Sequence, residues 1–290
     1  MESLRKYKIA VVQMDSQNDK GVNVKEACRY IDLAASEGAK LVTFPEVMNL
    51  CGDNIGEGGS RETIPGYTTE KLMAKAKEHG IYIHSGSFGE EIPGDSRGYN
   101  TSVIISPEGN IIATYHKIHT FDVTLPDGTV CDESARVRPG NEIVVVDTPL
   151  GKLGMAICYD IRFGEMFRLM ALEGAQVIFC PANFTMPTGK DHWEPILRTR
   201  AIENSCYIVA PGQIGQKARF VAYGNSMVVD PWGTVIARAK DQAGMFFAEI
   251  DLEYLDSIRE KLPSLKNRRD DVYTLRKKEN ESNGTFTRTD

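Results

Sequence analysis

The chain has 290 residues, 41% of them hydrophobic, and a formal net charge of −6. That apolar content suits a globular chain with a substantial core, and the acidic balance argues against a nucleic-acid partner, because phosphate recognition needs a basic face. The apolar run near the start, Ile9 to Val12, is too short for a signal-peptide core or a membrane span, which points to a cytoplasmic protein with no membrane partner.

Residues 8–15 read as a buried strand. Residues 24–37 read as a helix whose apolar face is Val24, Ala27, Cys28, Ile31, Ala34 and Ala35, stopped by Gly38. A second strand, 41–44, ends at Pro45-Glu46. After a glycine-rich loop, 52–66, an amphipathic helix spans 69–79 and a third strand spans 81–87. Strands 99–105 and 111–115 flank the turn Pro107-Glu108-Gly109-Asn110, a hairpin signal.

The second half repeats this order. An apolar strand, 153–157, ends abruptly in Cys158. A helical pattern follows, with Phe163, Met166, Phe167, Met170 and Ala171 apolar. Residues 173–181 match 37–45, each opening Glu-Gly-Ala and closing on proline. A helix at 193–204, a strand at 206–210 and a hairpin formed by 223–229 and 235–239 complete the copy. Alternating strands and helices imply right-handed crossovers and partly parallel sheets. Each sheet must bury both faces. The expected fold class is therefore α/β, a four-layer α-β-β-α sandwich with an internal pseudo-two-fold. A doubly wound single sheet is the alternative. Residues 1–275 read as one domain, with a helix at 252–262, and residues 276–290 as a polar, flexible tail.

No two of the six cysteines form a Cys-x-x-Cys pair, and the histidines lack His-Glu-x-x-His spacing. Nor is there a phosphate-binding or dinucleotide glycine loop. Neither a metal nor a cofactor is expected. His192-Trp193-Glu194 reads as a packing group at a helix start, and the cysteines other than Cys158 as structural thiols.

Cys158 sits at a strand-to-helix turn, where helix amides favour a thiolate and can donate to a developing oxyanion. Taken alone, a free cysteine in an apolar run is more often a buried core thiol than a nucleophile. The repeat adds an asymmetry. Glu46 follows the first strand-ending proline, whereas Ala182 follows the second. Gln13 or Met14 stands where the second copy has Cys158. Reactive residue types are split between the copies, as in one site between them. Glu46, Lys117 and Glu133 each read singly as solvated charges. Together with Cys158 they meet the needs of a cysteine amidohydrolase: a carboxylate base, a cationic oxyanion donor and a second carboxylate to hold the lysine.

Phe44-Pro45-Glu46, His116-Lys117-Ile118-His119 and the run from Ala156 to Phe163 closely resemble the three signature regions of the nitrilase superfamily, the carbon–nitrogen hydrolases. The similarity continues through Asp191 to Glu194, Arg200 to Asn204, Asp230 to Gly233 and Arg268 to Tyr273, nearly the whole chain. The pattern is most similar to the Nit branch, with its ω-amidases and deaminated-glutathione amidases. The resemblance implies Glu46 as general base, Lys117 as oxyanion stabiliser, Cys158 as nucleophile and Glu133 as second glutamate. It further implies substrate contacts at Arg162, Tyr159, Phe184 and Thr188, a homodimer, and hydrolysis of a small carboxylate-bearing amide through a thioester at Cys158. Residues 214–221 depart from the forms of either named activity, which leaves the substrate open. The alternatives are an N-carbamoyl amide or nitrile at the same site, a Cys–His enzyme using His116 or His119, and a catalytically silent binding protein.

Overall fold

Strand β1 (Lys6–Gln13) alternates in the way a doubly covered strand must. Tyr7, Ile9 and Val11 face one core, and Ala10 and Val12 face another. The computed structural model describes residues 4–52, 60–124, 128 and 130–278. Helix α1 (Lys20–Ser36), β2 (Leu41–Thr43), α2 (Tyr67–His79), β3 (Tyr82–His84), β4 (Phe88–Glu91), β5 (Gly98–Ile105) and β6 (Ile111–His116) complete the first half. Its last feature is a small hairpin, β7 (Asp122–Thr124) with β8 (Val130–Asp132).

The second half contains β9 (Val145–Thr148), β10 (Gly151–Met155), a 3-10 turn (Cys158–Arg162), α3 (Gly164–Leu172), β11 (Val177–Phe179), α4 (Met186–Asn204) and β12 (Tyr207–Ala210). A second small hairpin follows, β13 (Ile214–Gln216) with β14 (Val221–Tyr223). The chain continues with β15 (Met227–Val229), β16 (Val235–Arg238), β17 (Gly244–Asp251) and α5 (Leu252–Lys261).

The strands form two principal sheets. One runs β17-β1-β2-β3-β5-β4, with β6 also paired to β5; the other runs β16-β15-β12-β11-β10-β9. β1, β2 and β3 are parallel, as are β10, β11 and β12. Ala10, Val12, Val42, Ile83, Val103 and Ile105 pack on Ala27, Ile31 and Ala34 of α1 and on Leu72 and Ala76 of α2. The opposite faces of both sheets share one core, which joins Ile9, Val11 and Leu41 to Met155, Val177 and Phe179. The rings of His84 and Phe179 stack across it with centroids 4.5 Å apart. Helix, sheet, sheet and helix therefore lie in the expected α-β-β-α order.

Several boundaries differ from the sequence reading. The third strand stops at His84, because Gly86 takes a left-handed turn (φ +68) against the first sheet's other strand end; a Cβ there would lie 2.1 Å from the Pro45 carbonyl oxygen. Segment 223–229 is two strands, broken by Gly224 and Asn225 at positive φ. α4 begins at Met186, with Pro187 in its first turn, where a missing N–H costs no helical bond. β17 is absent from the sequence reading. It returns to the first sheet and pairs antiparallel with all of β1, as β9 pairs with β10. In the proposed tail, Lys277 donates to the Ile143 carbonyl at 3.0 Å and pairs with Glu173; residues 279–290 lie outside the described residues.

Candidate active site

Glu46 stands beyond Pro45 at the end of β2, and Cys158 stands beyond the end of β10. Both ends open on the same side of the paired sheets. At this edge the halves are stitched together: Met14 bridges Gln213, Ile214 N donates to the Met14 carbonyl at 2.9 Å, and Gln213 Nε2 donates to the Glu46 carbonyl at 3.0 Å. Lys117 follows β6 and Glu133 follows β8.

Lys117 is the centre of the arrangement. It is only 2% exposed, and its Nζ donates to Glu46 Oε1 at 3.1 Å and to Glu133 Oε1 and Oε2 at 2.9 and 2.8 Å. Burial alone would lower the ammonium. The two carboxylates outweigh that, Glu133 most, and hold it charged well above the usual lysine range. Glu46 is fixed on both oxygens, by Asn100 Nδ2 at 3.0 Å on Oε1 and by the Asn183 amide at 2.8 Å on Oε2. Glu133 also accepts from the Phe121 amide at 2.6 Å.

The Cys158 thiol lies close enough to Glu46 and Lys117 to feel both charges. It does not carry the low-pKa thiolate that a turn of helix amides suggests. Burial pushes the thiol well above its usual value, Glu46 pushes it further, and Lys117 and the Asn183 amide pull it only partway back. Cys158 also has φ +49, a conformation that costs a residue with a Cβ on the order of 1 kcal/mol. Asp160 holds that turn. It is fully buried and accepts from Ile157 N at 2.8 Å, the Tyr115 hydroxyl at 2.6 Å and His119 N at 3.1 Å, with His119 Nδ1 at 2.7 Å. Both histidines proposed as alternative bases are engaged with acids, His119 with Asp160 and His116 with Glu90 at 2.8 Å.

The residues implied as substrate contacts also gather. The Arg162 guanidinium lies 5.8 Å from the Tyr159 ring centroid and 5.6 Å from that of Phe184. Thr188 shares a 2.9 Å hydrogen bond with Thr185, next to Phe184. Among the described residues no carboxylate pairs with Arg162; its neighbour is His192.

Asn100, Asn183, Asp160 and Tyr115 have no assigned role in the sequence reading. Asn183 acts through a backbone amide, which leaves no mark in residue type. Asp160 carried a signal, as an acid in an otherwise apolar turn.

Two clefts lie away from these groups. One of about 570 Å³, lined by residues including Asp147, Lys152 and Arg259, contains none of these groups. Asp32, Glu78 and His79 converge on the α1–α2 surface in a ligand-like cluster, but Lys75 Nζ already sits 2.7 Å from Asp32 and 2.9 Å from Glu78.

Comparison with known proteins bears on this arrangement. The sequence model of the carbon–nitrogen hydrolase family matches residues 8–260. The deaminated glutathione amidase of Synechocystis sp. (strain PCC 6803 / GT-S) is 39% identical over 269 residues, covering 91% of this chain and 99% of that protein. Omega-amidase NIT2 of Xenopus tropicalis is 39% identical over 278 residues, covering 96% of this chain and 100% of that protein. The C. elegans NitFhit crystal structure superposes with a TM-score of 0.87 at 39% identity, covering 95% of this chain and 68% of that one.

Proposed function

Because this chain belongs to the carbon–nitrogen hydrolase family, in its Nit and ω-amidase-like branch, we propose that Cys158, Glu46, Lys117 and Glu133 form the machinery of its amide hydrolysis. The chain is an amidase acting on carbon–nitrogen bonds. The observation that carries the residue roles is the buried Lys117 held between Glu46 and Glu133 beside the Cys158 thiol.

The thiol proton passes to Glu46 as the sulfur attacks the amide carbon. The new C–S bond places negative charge on the carbonyl oxygen, and the Lys117 ammonium and the Tyr159 amide stabilise it. Collapse breaks the C–N bond, and the proton on Glu46 leaves with nitrogen as ammonia. A thioester remains. Glu46 then takes a proton from water, the hydroxide oxygen bonds the acyl carbon, and the C–S bond breaks with return of the proton to sulfur. Glu133 keeps Lys117 charged and in place throughout.

Arg162 supports a substrate with a distal carboxylate: a guanidinium against two aromatic faces, with no acid on it among the described residues, is a ready carboxylate partner. Phe184 and Tyr159 wall the acyl chain, and Thr188 is bonded to Thr185, the residue after Phe184. The substrate class is thus a small ω-amide acid, such as 2-oxoglutaramate or a deaminated-glutathione-type amide. The protein works in the cytoplasm, a reading supported by six free cysteines, and functions as a homodimer. Exposed Leu172 on α3 and Ile202 on α4 support a partner on that helical layer. Residues 1–275 act as one hydrolase domain.

Ammonia release from 2-oxoglutaramate, deaminated glutathione, an N-carbamoyl amino acid and a simple nitrile tests the reading, with Cys158→Ala as control. The expected result is turnover of the carboxylate-bearing amides alone, lost in Cys158→Ala. Turnover that survives that substitution overturns the assignment. Light scattering on the purified chain tests the dimer.

A further inference from the structure

Arg162 ends the turn that begins at Cys158, and among the described residues its fork hydrogen-bonds to His192. NH1 and NH2 both lie 3.4 Å from His192 Nδ1. Equal distances put the ring nitrogen on the plane that bisects the fork, the place a bidentate carboxylate would take. Facing two N–H donors, Nδ1 has to present its lone pair. At 3.4 Å this contact is longer than a strong hydrogen bond, so it orients the guanidinium more than it binds it, and a carboxylate displaces it readily.

His192 is well placed for such a role. His192, Ile196 and Arg200 are spaced four apart on α4 and share one face. Arg200 Nε donates to the Ile161 carbonyl at 2.8 Å, fixing the backbone one residue before Arg162. The same helix face therefore holds the turn through Arg200 and the fork through His192. Trp193 is the true packing group of this segment: it is buried against Phe184 and donates from Nε1 to the Asn225 carbonyl at 2.9 Å. His192 is exposed, so its ring has room to swing aside.

We propose that His192 is a positioning residue that holds the Arg162 fork in its binding orientation until the substrate carboxylate takes its place. This rests on the reading of Arg162 as the carboxylate anchor.

The test measures kcat and KM separately for 2-oxoglutaramate and for a neutral amide, butyramide, in wild type, His192→Ala, His192→Asn and Arg162→Met. His192→Ala is expected to raise KM for 2-oxoglutaramate about fivefold, with kcat unchanged and butyramide unaffected. His192→Asn restores KM, because Asn Oδ1 stands near the position of Nδ1. Arg162→Met removes the preference for 2-oxoglutaramate. Two results overturn the proposal while leaving the anchor intact. In one, His192→Ala has no effect on KM although Arg162→Met does. In the other, His192→Ala lowers kcat alike for both substrates, the mark of a general structural role. If Arg162→Met keeps the preference, the anchor itself is wrong and the role of His192 falls with it.

Discussion

Met14 and Cys158 hold the same place in the two halves. Val11 pairs with Thr43 and Met155 pairs with Phe179, and each of the two residues lies three positions further on. In the first half the chain stays extended: Met14 bridges Gln213 and accepts from Ile214. The residue before it, Gln13, is completely buried. It donates to the carbonyls of Lys240 and Gln242 at 2.8 and 2.9 Å and accepts from Ser226 N and Oγ, each at 2.9 Å. In the second half the chain turns at φ +49, and a thiol is left facing a carboxylate. Glu46 and Ala182 show the reverse assignment, with the reactive residue in the first half. At each pair of equivalent positions one half keeps a residue in backbone pairing, Met14 with Gln213 and Ala182 with Gly212, and the other places a group that can react. The pseudo-symmetry brings the strand ends together, and breaking it makes the site.

The comparison is broken most severely at the reactive pair. Cys158→Ala is expected to abolish turnover. Glu46→Gln should cost a factor on the order of 10³ or more in kcat, since it removes the base from both half-reactions. The same substitution also removes the anion that pushes the thiol up, leaving Lys117 to pull it down. Cys158 in Glu46→Gln should therefore alkylate with iodoacetamide at lower pH than in wild type, while turnover is lost. Alkylation rate against pH, followed by intact mass, measures both. A rate profile that stays put would mean that Glu46 does not touch the thiol.

Asp160 connects the turn to the first half through Tyr115 and His119. Asp160→Ala removes both acceptor oxygens and leaves buried donors unpaired, so it should destabilise the fold by about 3 kcal/mol and lower kcat as the Cys158 turn loosens. Denaturant melts and steady-state kinetics on one preparation separate the two effects. Gln13→Ala is the matched control in the other half. It leaves as many partners stranded and should cost about 2 kcal/mol of stability, with kcat unchanged at temperatures where the variant is folded. Equal losses of kcat in the two variants would remove the distinction between a structural strand end and a reactive one.

What the sequence reveals divides along the same line. The repeat and the spacing of Gly-Ala-strand-proline were enough for two sheets face to face, since helices can cover only one face of each. Glu46, Lys117 and Cys158 read singly as ordinary charges and a core thiol; they stood out only together and through their resemblance to the family's signature regions. Harder to see were groups whose contribution depends on distant partners. β17 lies outside the repeated pattern, yet it pairs along all eight residues of β1. Asn183 contributes a main-chain N–H. The thiol's pKa direction depends on burial and on Glu46, more than one hundred positions away in the chain, rather than on the local turn that suggested a thiolate.

The smallest effect concerns His84, where the halves touch. It is buried, stacked on Phe179, and held between Thr43 Oγ1 at 2.8 Å and Ser102 Oγ at 3.0 Å. Burial pulls its pKa down to about 3 from an ordinary value of 6.5. The unfolded chain therefore binds a proton on this residue at a pH where the folded chain does not. Stability from the neutral ring is fully present above about pH 6.5 and declines as pH falls toward 3. His84→Gln keeps polar partners for Thr43 and Ser102 without the titration. It should lower the melting temperature slightly at pH 7.5 but flatten the decline between pH 6.5 and 4.5. Melting curves of both proteins across that interval measure the difference. Parallel curves would mean that the inter-sheet histidine does not set acid stability.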